Sequence, residues 1–132
     1  MLFRSRAGGH AGQFIPAKDY INAFRIRPKI QRALDEILSK YDALVTPTLP
    51  AVAVPIASDF GTYFAPYKSS EIGGAGNAAG IPALSIPNGF GDRKLPTGLQ
   101  FVGRAFEENR LLAIAQKYQS VTDWHTKTPT FQ

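Results

Sequence analysis

The sequence holds 132 residues, 44% of them apolar and 19% charged, which suits one domain with a core and excludes global disorder. No window approaches the roughly 18 consecutive apolar residues of a membrane span, no long apolar stretch follows Arg4 and Arg6 as in a secretory signal, and the lack of cysteine excludes disulfides, thiolate metal sites and cysteine nucleophiles. The net charge of +5 lies wholly in residues 1–40, where eight basic side chains face three acids, while residues 41–132 balance seven against seven.

Residues 1–16, with Gly8, Gly9 and Gly12, read as an irregular lead-in. A helix is predicted to start at Ile15-Pro16-Ala17-Lys18-Asp19, because proline and an acid both suit a first turn. Phe24, Ile30, Leu34, Ile37, Leu38 and Tyr41 then recur at three- and four-residue steps and lay one apolar stripe. Pro28 removes a hydrogen bond to the Phe24 carbonyl, so the pattern predicts either two helices, 17–26 and 28–40, or one bent rod. Arg25, Lys29 and Arg32 share a face that could track phosphates, but no aromatic platform or base-reading group accompanies it. The expected role is the solvated side of an amphipathic helix, and no nucleic-acid partner is expected.

Ala43-Leu44-Val45-Thr46, followed by Pro47 and Pro50, predicts a buried strand that emerges into a long extended loop over 51–68. Residues 69–80 are small and polar, with Ser69 or Ser70 able to cap a helix and Gly80 able to stop one. Glycines 73, 74 and 76 each lower helix propensity by about 1 kcal/mol relative to alanine, so this stretch either packs tightly against another backbone or forms a loop. Pro82–Pro87 and Gly98–Gly103 predict two strands joined by a turn-rich link, as antiparallel neighbours are. Glu107-Glu108-Asn109 opens a final helix with Leu111, Ile114, Ala115, Tyr118 and Val121 on one stripe, and the tail from Thr122 is expected to be an exposed finish.

Three near-motifs carry little chemistry. The glycines of Gly74–Gly80 are spaced one residue too widely for a dinucleotide fingerprint, and no buried strand precedes them. Lys68-Ser69-Ser70 sets an amine beside two hydroxyls, but sequence neighbours in a loop rarely shield a lysine enough to make it a base. His125, beside Trp124 and within reach of Asp123, has no hydroxyl tied to it and reads as a packing or capping residue. With two histidines and scattered acids, no metal site and no cofactor are expected.

Three ordered stretches nevertheless form a specific pattern: Asp42–Pro50, Asn77–Gly89, and Leu95–Gly103 with Phe106-Glu107 and Leu111-Leu112 behind it. Together they resemble the C-terminal third of amidase signature enzymes, and Thr122-Asp123-Trp124-His125 is similar to the family's closing stretch. The resemblance runs from about Tyr20, with Arg27, to the tail. It implies an α/β fold: the C-terminal part of the family's mixed β-sheet flanked by helices, here about three or four strands and three helices. The small residues 73–80 would then pack closely beneath the catalytic layer.

The family hydrolyses carboxamides, or transfers their ammonia in glutamine-dependent tRNA transamidation, with a nucleophilic serine, a second serine on a cis peptide and a lysine. This sequence has no Gly-Gly-Ser-Ser-Gly stretch and no separated upstream lysine, so no catalytic residue is carried over. Residues 17–132 are therefore expected to be a C-terminal fragment of an amidase signature domain, inactive alone, with Ser70, Glu71, Ile72 and Asn77 on the wall of the substrate pocket. In the glutamine-using branch an acid that helps hold the substrate amino group falls at Ser70, and a serine there favours a general amidase. The implied partners are a small-molecule amide in the full-length enzyme and either an N-terminal catalytic portion or a second copy. No membrane contact is expected, and the implied location is cytoplasmic. The alternatives are a non-catalytic interaction module or the corresponding piece of the amidase-like subunit of a glutamine-dependent tRNA amidotransferase.

Overall fold

A computed structural model describes residues 10, 12–59, 62 and 73–128. The first long element is α1, Ala17–Leu38, entered from Pro16 in an extended conformation. The Pro16 carbonyl accepts from the amides of Asp19 and Tyr20, at 2.9 and 3.2 Å. Asp19 in the first turn complements the positive end of the helix dipole. Pro28 sits inside this one continuous helix, so the predicted split into 17–26 and 28–40 does not occur. Its fixed φ is helical and its ring faces solvent, which limits the loss to one backbone hydrogen bond.

The apolar stripe of α1 is only half used. Leu34 and Leu38 are buried, whereas Phe24, Ile37 and Tyr41 are exposed, as are Tyr20, Ile21 and Ile26. Tyr20 and Phe24, one turn apart, meet in a tilted ring pair with centroids 4.8 Å apart.

Three strands follow: β1 (Leu44–Pro47), β2 (Ala83–Phe90) and β3 (Pro96–Val102), with β3 in the centre and antiparallel to both neighbours. The sheet of the described residues is thus wholly antiparallel. Instead of the expected buried strand, β1 alternates, with Val45 exposed. An edge strand covered on one side can do no more. β2 and β3 run further than the sequence indicates, through a register irregularity between Pro87 and Gly89, which shortens the link to Gly91–Leu95. Its centre is a tight turn in which Arg93 and Lys94 both adopt left-handed angles, φ 58° and 54°.

Between β1 and β2 lies a short helix, α2 (Gly73–Ala79), so the glycine-rich stretch is helical rather than a loop. The last helix, α3 (Glu108–Ser120), packs on β2 and β3. Ile86, Phe101, Leu111 and Ala115 form the core cluster, with Leu84, Leu99, Ile114 and Tyr118 against it. Burying each large member contributes roughly 1.5–3 kcal/mol. Val121 falls past the end of α3 and is exposed. After α3 a single 3-10 turn, Trp124–Thr126, sets the Trp124 ring edge-on to Phe90 at 6.3 Å. An exposed ion-pair chain links Asp42 to Arg110 at 2.9 Å, and Arg110 to Glu107 at 3.4 Å, fastening the entry of β1 to α3.

Two stability measurements check this architecture. Leu111→Ala should cost about 2–5 kcal/mol in denaturant unfolding, because it empties a site in the core, while Leu112→Ala, on the exposed side, should stay within about 0.5 kcal/mol. Lys94→Gly should raise stability by about 0.5–1 kcal/mol, since relief of the left-handed strain outweighs the added chain entropy of glycine. A neutral or destabilising result there would remove the strain argument.

Candidate functional site

The site that the structure assembles lies where α1 crosses α2. Gln31 fixes the crossing: its Nε2 donates to the Ala79 carbonyl at 2.7 Å, satisfying one of the end carbonyls of α2. Gly80 then ends the helix with φ +73°, its amide bonded to the Gly76 carbonyl at 2.9 Å. Ala79, between these two contacts, is fully buried.

Beside the crossing is an open groove of about 230 Å³, lined by Ala23, Phe24, Arg27, Ile30, Asn77 and Ala78. Its polar groups are the Arg27 guanidinium and the Asn77 carboxamide. Arg27 differs from the other cations of α1: Lys18, Arg25, Lys29 and Arg32 are exposed, and Arg27 is half-buried. Its guanidinium lies over Gly80, where an added Cβ would come within 2.5 Å of Nη2. A side chain at position 80 would push the guanidinium out, so the missing side chain is what admits it. Arg27 Nε is shut off from solvent and has no hydrogen-bond acceptor among the described residues. Leaving a buried donor unpaired costs about 1–3 kcal/mol, and more when it belongs to a charged group.

A second, more polar hollow of about 410 Å³ lies at the far end of the sheet, between the chain after β1 and the β2–β3 turn. There Thr97 Oγ1 donates to Asn88 Oδ1 at 2.8 Å, and Arg93 Nη2 donates to the Ala53 carbonyl at 3.2 Å. The first bond joins β3 to β2, and the second ties the loop to the turn. Nearby, the Thr48 and Ser85 hydroxyls bond across β3 above Gly98.

Of the residues expected on a pocket wall, Asn77 is on the exposed side of α2 and lines the groove. Ser70, Glu71 and Ile72 lie outside the described residues, as do Lys68 and Ser69. Gly74 and Gly76 sit within α2 rather than before it, which is the wrong place for a phosphate-binding turn. Nor does Gly76 pack tightly among the described residues: a Cβ there would meet Ile81 at 3.9 Å. The close approach in the described part of this stretch is at Gly80, to the Arg27 side chain and not to a backbone. His125 is exposed, and Asp123, the residue that could have oriented it, bonds to Lys127 at 3.1 Å. Among the described residues no three His, Asp or Glu side chains gather as metal ligands, and no helix is long and apolar enough to cross a membrane. By composition and spacing Arg27 is one more surface charge, although the family resemblance includes it. The only local signal is its place one turn before Gln31, on the side of the helix that meets α2.

Residues 5–112 match the Amidase family. A glutamyl-tRNA(Gln) amidotransferase subunit of Chloroflexus aggregans is 44% identical over 110 residues, covering 83% of this chain and 22% of that protein. The same subunit in Legionella pneumophila strain Corby is 40% identical over 113 residues, covering 86% of this chain and 23% of its own. The crystal structure of the Thermotoga maritima counterpart superposes with a TM-score of 0.61 at 32% identity, over 91% of this chain and 27% of that one. A crystal structure of an amidase, at 24% identity, has the same fold with a TM-score of 0.76 over 89% of this chain and 28% of that one. This chain therefore spans less than a third of the length of each of these proteins. With its matched span running through α1, the whole sheet and into α3, the chain belongs to the amidase family.

Proposed function

We infer that these 132 residues act as the C-terminal portion of an amidase signature enzyme, contributing pocket wall to carboxamide C–N hydrolysis while the Ser-cisSer-Lys triad is supplied elsewhere. The observation that carries this reading is the family match over residues 5–112 together with the absence of any Gly-Gly-Ser-Ser-Gly stretch from the sequence. The open apolar surface agrees with it. Phe106 is 95% exposed with φ +66°, and Ile56, Phe14 and the outer face of α1 are bare. Large apolar side chains in such numbers suit a surface that another part of an enzyme, or a partner chain, covers. In this reading Ser70, Glu71, Ile72 and Asn77 line the substrate side, residues 1–16 are a lead-in to the domain portion at 17–132, and the location is cytoplasmic.

A second reading has its own support. The relatives at 44% and 40% identity are subunits of glutamyl-tRNA(Gln) amidotransferases, which favours the glutamine-using branch over the general amidase that Ser70 suggests. Both readings share amide hydrolysis and differ in substrate. The test is a chimera in which this chain replaces the matching segment of the Chloroflexus aggregans protein. Amide hydrolysis by the purified 132-residue chain should stay at background, and the chimera should hydrolyse amides. Ser70→Asp in the chimera should raise turnover of glutamine severalfold over that of benzamide if the amidotransferase reading holds, and leave the ratio unchanged if the general amidase reading holds. Serine-dependent turnover by the chain alone would overturn the assignment of the triad to other residues.

A further inference from the structure

Arg27 is a cation that this fold draws inward without a neutralising partner among the described residues. The ion pairs of the described residues join Arg104 to Glu107, Arg110 to Asp42 and Glu107, and Lys127 to Asp123, and none reaches Arg27. Its Nε donor is buried with no acceptor among the described residues. Gly80 leaves the space in which the guanidinium lies, and Gln31 holds the two helices in the crossing that creates the groove. A half-buried guanidinium with a free donor is stable where an anion meets it.

The shape of the groove narrows the choice of anion. Guanidinium presents a planar fork that matches the two oxygens of a carboxylate. Phe24, Ile30, Ala23 and Ala78 supply apolar walls, and Asn77 adds one amide at the rim. A volume of about 230 Å³ holds roughly eight water-sized groups, the scale of a small organic acid rather than of a nucleotide. We propose that the α1–α2 groove binds a small monocarboxylate with an apolar body, Arg27 taking the carboxylate and Phe24 and Ile30 the body. The inference needs only the groove and does not rest on the amidase reading.

Phenylacetate is the probe, and phenylacetamide its uncharged counterpart. In a nitrogen-15 spectrum of arginine side chains, the Nε–H resonance lost in Arg27→Lys reports on the site. Phenylacetate should shift that resonance saturably, with at least tenfold weaker binding of phenylacetamide. Arg27→Gln should abolish saturable binding, read by calorimetry, and Arg25→Gln, an exposed cation of the same helix, should leave it unchanged. Gly80→Ala, which puts a Cβ in the place of the guanidinium, should weaken binding at least tenfold while far-ultraviolet circular dichroism shows a retained fold. Equal binding of acid and amide, or a response that survives Arg27→Gln, would overturn the proposal. So would binding that appears only in Glu71→Gln, because the carboxylate would then come from this chain. If Arg27→Gln fails to fold, the acid-to-amide comparison on the unaltered protein decides alone.

Discussion

The central strand β3 is the constraint on which the rest of the structure depends. Both of its edges are paired, by β1 on one side and β2 on the other. Each of its faces also meets something different. Phe101 points into the cluster with Ile86, Leu111 and Ala115. Val102, the next residue, is buried on the opposite face, in a row with Leu44 and Ala83. One row down on that face are Thr46, Gln100 and Ser85, and beyond them Gly98. A Cβ at Gly98 would lie 2.6 Å from Thr48 Oγ1 and 3.0 Å from Ser85 Oγ, so the hydroxyl bridge over β3 exists because that residue has no side chain. The two edge strands are thereby joined by side chains as well as by the backbone ladder.

That arrangement stabilises one side of the sheet well and leaves much else uncovered. α3 shields the face bearing Leu84, Ile86, Leu99 and Phe101, and the apolar cluster is confined there. α1 is held near its C-terminal end, through Leu34, Leu38 and the Gln31 bond, while its first two turns project Tyr20, Ile21 and Phe24 outward. A helix normally gains its stability by burying its apolar stripe. On the proposed reading, the missing cover comes from the remainder of an amidase, and the outward face of α1 is prepared for it.

Much of this fold is legible in the sequence because it rests on periodicity. The alternation of Leu84 and Ile86 with Ala83, Ser85 and Pro87 marks a half-buried strand, and Leu111, Ile114, Ala115 and Tyr118 mark a packed helix face. What is not legible depends on contacts between residues far apart in the chain. The α2 helix forms against the propensity of three glycines, held by α1 at Gln31 and Ala79 across 48 residues of sequence. Trp124 reads as tail by sequence, and the approach of Phe90, with Lys127 Nζ 4.3 Å from the ring centre, gives it a place. Two consecutive left-handed, non-glycine residues in the β2–β3 turn run against turn preferences, and no local rule places them there.

Arg27 shows the same limit at the site itself. By composition it is one of eight basic residues in the first forty, and by spacing it lies on a helix whose other cations face water. What sets it apart is the geometry at a residue 53 positions later, where a glycine with positive φ leaves a gap the width of a guanidinium plane. The basic character of α1 therefore divides in two. Lys18, Arg25, Lys29 and Arg32 remain solvated and need no partner, because water screens exposed charge. Arg27 has exchanged part of its water for Phe24, Ile30 and a helix end, and its Nε has received nothing in return among the described residues. A basic helix that first suggests a diffuse phosphate-tracking surface is thus better understood as four solvated cations and one aimed at a small carboxylate.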